Sequence, residues 1–279
     1  MSPIKNENHG TGVVDSTYDI RDYRANLKAG LSYFFADSFE LPMPHVKSQG
    51  KIKSCVAHAL ATEIEYFDKK ETGEYHRMST DYIYGNRRMT TWLDEGMRIR
   101  DAIKTAKEYG DVTYSYMPGN TEVPAAIEKF ERKAKELKPY GKANRIGKYF
   151  RLNSSKAIKA CLIDYGPVIV SVDWCADYRM SDNLLILDGS NYKGSHCLMI
   201  YGWCPRGWLV QNSWGDRWGS GGRAVLPYDS KLNEAWGIED ADNDADSEWL
   251  DIIAPFSTEL GCKFAKAVNA ILNKVFKRR

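Results

Sequence analysis

The chain has no stretch approaching 18 consecutive apolar residues, so nothing in it predicts a membrane-spanning helix. Its first residues, "MSPIKNENHG", lack the apolar run of an export signal. There is no repeat of fixed period and no Pro-rich or Gly/Ser-rich linker, which argues against solenoids and tethered modules. Cysteine is sparse: the six thiols, at positions 55, 161, 175, 197, 204 and 262, are scattered over 279 residues. That is not the dense framework of a small disulfide-stapled domain, and with no leader it predicts free thiols in a reducing, cytoplasmic location. Neither sign of charge dominates, with 39 Lys+Arg against 37 Asp+Glu. No global field therefore points to a nucleic-acid partner.

What is present describes a globular protein, 43% hydrophobic and 12% aromatic, long enough for a large core or two lobes. Helical periodicity begins near Ser54, with Ala57, Leu60, Ala61, Ile64 and Phe67 on one face. It recurs over about 97–109, stopped by Gly110, and from Pro124 through Leu137. A fourth helix starts at a Ser154/Ser155 cap and ends at Gly166-Pro167. The period then changes to two. "PVIVSVDW" (167–174) reads as a half-buried strand, and "CLMIYGW" and "GWLVQNSW" read as a hairpin turning at Cys204–Gly207. The expected class is α+β, helical first and β-rich second.

Residues 1–12 read as a flexible start, and 239–255 as an acidic linker. Within that linker, "DADNDADSEWLD" spaces carboxylates like a calcium loop but has Ala245 at the glycine position, so a solvated charge run is the simpler reading. Residues 256–279 form a basic amphipathic helix that docks on the body or binds a protein partner; as a membrane anchor it would be marginal.

Cys55, in "SQGKIKSCVAHALATEIEY", stands where turn residues give way to helix. A thiol there is an ordinary buried hydrophobe, half of a C-x-x-H metal pair with His58, or a nucleophile. No second ligand pair has zinc-like spacing, so no metal is expected. As a nucleophile it would gain from the positive end of the helix dipole and need a base. Of the five histidines, His196 follows Gly194-Ser195 and opens an apolar strand. The hairpin returns Asn212 and Trp214 to within a few steps of its ring, where an amide can hold the tautomer and an indole can exclude water.

Gln49 and Cys55, "GSHCLMIYGW" and "QNSWGDRWGSGG" together resemble the papain-like cysteine peptidases, the prokaryotic and phage-type branch more than the secreted one. The family places its His and Asn about 130–150 residues after the Cys; here the offsets are 141 and 157. The similarity covers about 15–238. It implies a two-lobe fold, a helical lobe near 45–140 and a β-rich, barrel-like lobe near 145–238 joined by the N-terminal segment, within a domain spanning 13–238 and with the cleft between the lobes. It further implies Cys55 as thiolate nucleophile, His196 as acid/base, Asn212 as its orienter, and Gln49 with the Cys55 N–H as oxyanion donors. Trp214 would cover the His–Asn bond, and Gly96 and Ser195 would line the path of a polypeptide substrate. No cofactor is implied.

The chain also departs from the family pattern. Ile52 stands where a half-cystine is usual, Lys53 where a glycine is, Val56 where an aromatic is, and His58 where Phe is common. Cys197 follows the catalytic histidine where Ala is usual. A catalytically silent binding scaffold and an acyl transferase on the same Cys/His pair are the alternatives.

Overall fold

The computed structural model describes residues 10–17, 19, 22, 35–87, 96–119 and 127–241, with the backbone alone at 127–130. The linker beyond residue 241, its calcium-like frame and the helix expected at 256–279 lie outside the described residues. After a short strand β1 (Phe39–Glu40), helix α1 runs from Cys55–Thr72. Gly73, in the left-handed conformation at φ 78°, stops it by donating its N–H to the Lys69 carbonyl. Residues Cys55 to Glu65 are buried on every side, not on one face alone. The reason is position: α1 packs between helices α2 (Thr80–Gly85) and α3 (Ile99–Tyr109) and the sheet.

Helix α2 is too short to show periodicity in sequence. It is fixed by Ser79, whose hydroxyl accepts the Tyr82 N–H at 3.1 Å. The helix expected through Leu137 divides into α4 (Ile127–Glu136) and α5 (Lys138–Gly141), with a proline in the first turn of α5. Strand β2 (Ile146–Arg151) and helix α6 (Ser155–Asp164) follow, the latter capped by Ser154 as expected.

The remaining strands are β3 (Val168–Cys175), β4 (Arg179–Ser181), β5 (Leu184–Ile186), β6 (Tyr192–Cys204), β7 (Gly207–Gln211), β8 (Arg223–Leu226) and β9 (Leu232–Asp240). Among the described residues the strands form one sheet in the order β2-β9-β3-β6-β7-β8-β5-β4, with β1 on the end of β6. Strand β9 runs to Asp240, two residues into the stretch read as linker.

This sheet separates two cores. Ile169, Cys197, Met199, Trp236 and Ile238 pack with α1–α3 on one side. Val168, Val170, Val172, Leu198 and Ile200 pack with α6 and the β6–β8 tryptophans on the other. Strand β3 is therefore covered on both faces rather than half-buried: Ile169 and Ser171 are fully buried, and only Asp173 reaches solvent. An α+β architecture with a helical side and a β-rich side is what the family resemblance implies. No helix among the described residues is long and apolar enough to cross a membrane.

Candidate active site

Cys55 is the first residue of α1. Ser54 precedes it without capping the helix through its side chain, and no acidic residue sits in the first turn. The free N–H groups at that helix end therefore point toward the thiol with no carboxylate nearby to oppose them. The backbone amides of Cys197, Gly12, Val56 and Cys55 itself face the sulfur. Cys55 thus lies beside the residue that follows His196.

The β6–β7 hairpin pairs Met199 with Gln211 and Cys204 with Gly207, one bulge interrupting the register. It carries Asn212 back to His196. Asn212 Oδ1 accepts the Ser213 N–H at 2.7 Å, which fixes the amide orientation. The 2.8 Å contact from His196 Nε2 to that same oxygen therefore needs the ring proton on Nε2, which makes Nδ1 the basic nitrogen. Trp214 tilts over the imidazole at 4.7 Å between ring centroids. Trp174 meets the imidazole edge-on at 4.9 Å. His196 and Asn212 are both buried, so their bond is shielded from water.

The loop before α1 is tied to the same hairpin. Gln49 N–H donates to the Ser213 carbonyl and Gly215 N–H to the Lys47 carbonyl, each at 2.9 Å. The Gln49 side chain is held at both ends: Oε1 accepts the Ser213 hydroxyl at 2.6 Å, and Nε2 donates to the Ile52 carbonyl at 2.7 Å. Nε2 also donates to the carbonyl of Gly10 at 2.9 Å.

That last contact belongs to a segment that crosses the site. Residues 10–12, expected to be flexible, are instead seated against it. Met97 N–H donates to the Gly12 carbonyl at 2.8 Å, and Val14 N–H to the Met97 carbonyl at 3.0 Å. On the opposite side Val13 N–H donates to the Ser195 carbonyl at 3.0 Å, and Thr11 hydroxyl to the Lys193 carbonyl at 3.0 Å. Gly96 and Ser195 are thus where an extended backbone lies, here the chain's own. A Cβ on Gly96 would stand 2.6 Å from the Gly12 carbonyl oxygen, so only glycine admits this approach. Farther along, Ser16 N–H bonds the Glu234 carboxylate, and Arg100 binds the Thr17 carbonyl and the Asp22 carboxylate.

Under this strap Cys55 is wholly buried, and burial pushes its thiol up to about 11 against the pull of the surrounding amides. The resemblance implies a thiolate; in the covered state the removal of water outweighs the helix end. Lys53, flagged as a departure, packs its backbone and Cβ against Gly12.

Trp174, Ser213 and Met97 belong to the site although sequence reasoning did not single them out. Ser213 sits inside the "QNSWG" run and Trp174 ends the alternating strand, so both were visible there; Met97 had no signal. His58 donates from Nδ1 to the Ser54 carbonyl at 2.9 Å. No cluster of His, Cys, Asp or Glu among the described residues could hold a metal ion. Five of the six cysteines are described, and all five are free thiols.

Residues 37–241 match the family described as papain family cysteine protease. A peptidase C1-like protein, L477, of Acanthamoeba polyphaga mimivirus is 26% identical over 204 residues, 64% of this chain and 63% of its own length. Mouse cathepsin K is 25% identical, covering 69% of this chain and 58% of its own. The chain thus spans under two thirds of the length of these relatives. Among solved structures, xylellain, a cysteine protease from Xylella fastidiosa, superposes with a TM-score of 0.70 at 23% identity. That superposition covers 84% of this chain and 97% of xylellain, a likeness of fold.

Proposed function

Because the chain belongs to the papain family of cysteine proteases, we propose that it hydrolyses peptide bonds through an acyl-enzyme on Cys55. The observation that carries this reading is the buried His196 Nε2–Asn212 Oδ1 bond at 2.8 Å, under Trp214. It commits one ring nitrogen to Asn212 and keeps Nδ1 as the base for the thiol. With the strap displaced and water readmitted, the helix end and an imidazolium at His196 would favour the thiolate. Cys55 Sγ then attacks the substrate carbonyl carbon, and the oxygen takes up the negative charge. Gln49 Nε2 and the Cys55 N–H donate to that oxygen. His196 protonates the leaving amine, which departs with the C-terminal part of the substrate. It next takes a proton from water, whose hydroxide attacks the thioester and frees Cys55.

Met97 and Ser195 supply backbone hydrogen bonds to the incoming polypeptide, as they do to residues 12–14, and Gly96 leaves room for its close approach. Substrate and strap use the same groups, so the strap must leave before substrate binds. The free thiols and the isoleucine at position 52 support a reducing, cytoplasmic setting.

The test is cleavage of an unfolded protein by the wild type and by Cys55→Ala. Loss of cleavage in Cys55→Ala supports the reading. Equal cleavage by both overturns it, and so does no cleavage by a form with the strap removed, the result a binding scaffold would give.

A further inference from the structure

Behind the His196–Asn212 pair lies a polar layer that the reaction above does not use. Asn212 is 3% exposed, and its Oδ1 is occupied by His196 and Ser213. Its Nδ2 is buried and finds no acceptor among the described residues. Leaving such a donor unsatisfied costs about 1–3 kcal/mol. A cavity of about 10 Å³, the room one water takes up, opens beside it and is lined by Asn212, Lys47, His58 and Thr62.

His58 is 2% exposed, and its Nδ1 carries the ring proton because it donates to the Ser54 carbonyl. Nε2 is then a lone-pair acceptor. Burial lowers this imidazole to about 4, so it is neutral at physiological pH. The Ser48 carbonyl also faces the ring. Lys47 brings three donors, of which Thr62 and Glu65 take two. The polar atoms around the cavity thus include both kinds of partner a water needs.

We propose that one water in this cavity accepts from Asn212 Nδ2 and donates to His58 Nε2, which makes His58 a positioning residue for Asn212 and hence for His196. A phenylalanine at position 58 would offer no such acceptor. The inference rests on the peptidase reading of Cys55, His196 and Asn212.

The test is a double-mutant cycle on the full chain, His58→Met against Asn212→Ala. It is read as kcat and KM on a peptide substrate and as the rate of Cys55 alkylation by iodoacetamide. His58→Met should lower kcat and the alkylation rate on the order of tenfold, the scale of coupling within one network, and leave KM unchanged. His58→Gln, which returns a polar atom near the Nε2 position, should recover most of the loss. In the Asn212→Ala background His58→Met should add nothing.

Independent, multiplying losses overturn the proposal, as do equal losses for Met and Gln or a wild-type rate for His58→Met. Should His58→Met fail to fold, a high-resolution crystal structure of the wild type decides. An ordered water within about 3.2 Å of both nitrogens supports the proposal, and a dry cavity ends it. A Gly12→Val protein, with its strap loosened, that cleaves no peptide removes the peptidase reading alone, because the alkylation arm and the crystal structure still report on His58.

Discussion

The side-chain amide of Gln49 holds the main-chain carbonyl of Gly10 at 2.9 Å, two residues before Gly12, whose amide faces the sulfur of Cys55. The group read as an oxyanion donor is thus engaged with a backbone carbonyl from the same chain. Around it the strap forms bridges to Met97 and to Ser195, one on each side of the site. A cleft that receives an extended backbone in this way has the width and the donors to receive another.

Loosening the strap should expose Cys55. A Cβ at Gly12 would stand 2.2 Å from the Lys53 carbonyl oxygen, so Gly12→Val cannot seat as glycine does. With the covered thiol pushed up to about 11, only about one molecule in a thousand carries thiolate at pH 8. Gly12→Val should therefore speed Cys55 alkylation at that pH by roughly tenfold or more. Equal rates in the two proteins would show that the strap does not govern access.

Arg100 anchors the far end of the strap through Thr17 and Asp22. Arg100→Ala should speed alkylation in the same direction as Gly12→Val, and the two changes together should gain little over either alone. The readout is peptide mapping of alkylated Cys55; an unchanged or slower rate in Arg100→Ala would detach this anchor from the site.

Gln49→Ala should reduce kcat by about 10²–10³, the usual effect of removing one oxyanion donor, with a smaller change in KM. Steady-state kinetics on a peptide substrate give the answer. A mutant that loses only affinity would place Gln49 in substrate binding instead.

Much of this site was legible before any coordinates. Helices α1, α3 and α6 announced themselves by period, and the hairpin by its Cys204–Gly207 turn, so Asn212 could be brought near His196, while Cys55 joined them only through the family resemblance. The strap could not. "GTGVV" has neither period, and its place depends on Met97 and Ser195, far away in sequence. The burial of both faces of β3 was hidden for a related reason, since alternation records side-chain direction and not what the rest of the chain lays against each face. The opposed effects on the Cys55 thiol follow from the same blindness, because the helix end is local and the desolvation is not.

Asn212→Ala should slow turnover by about 10- to 100-fold in a protein that still folds, with a lowered melting temperature because the buried Ser213 N–H and His196 Nε2–H lose their acceptor. Unchanged turnover would remove Asn212 from the mechanism.

His58 gives the fold a pH signature. Its folded value, about 4, lies below the ordinary 6.5, so the unfolded chain binds a proton that the folded one refuses. The associated stability is complete above pH 6.5 and is lost as pH falls toward 4, about 3 kcal/mol over that window. Melting curves across this range should show a drop that is smaller in His58→Gln. An equal drop in both proteins would mean that other groups set the acid limit.

The central claim is that Cys55 carries the acyl group. Rapid acid quenching of Gly12→Val during turnover of a peptide ester, followed by peptide mass mapping, measures this directly. The account predicts the mass of the acyl fragment on the peptide containing Cys55, and its absence in the Cys55→Ala protein. Hydrolysis that proceeds with no adduct at Cys55, or with one on Cys197 instead, would contradict it.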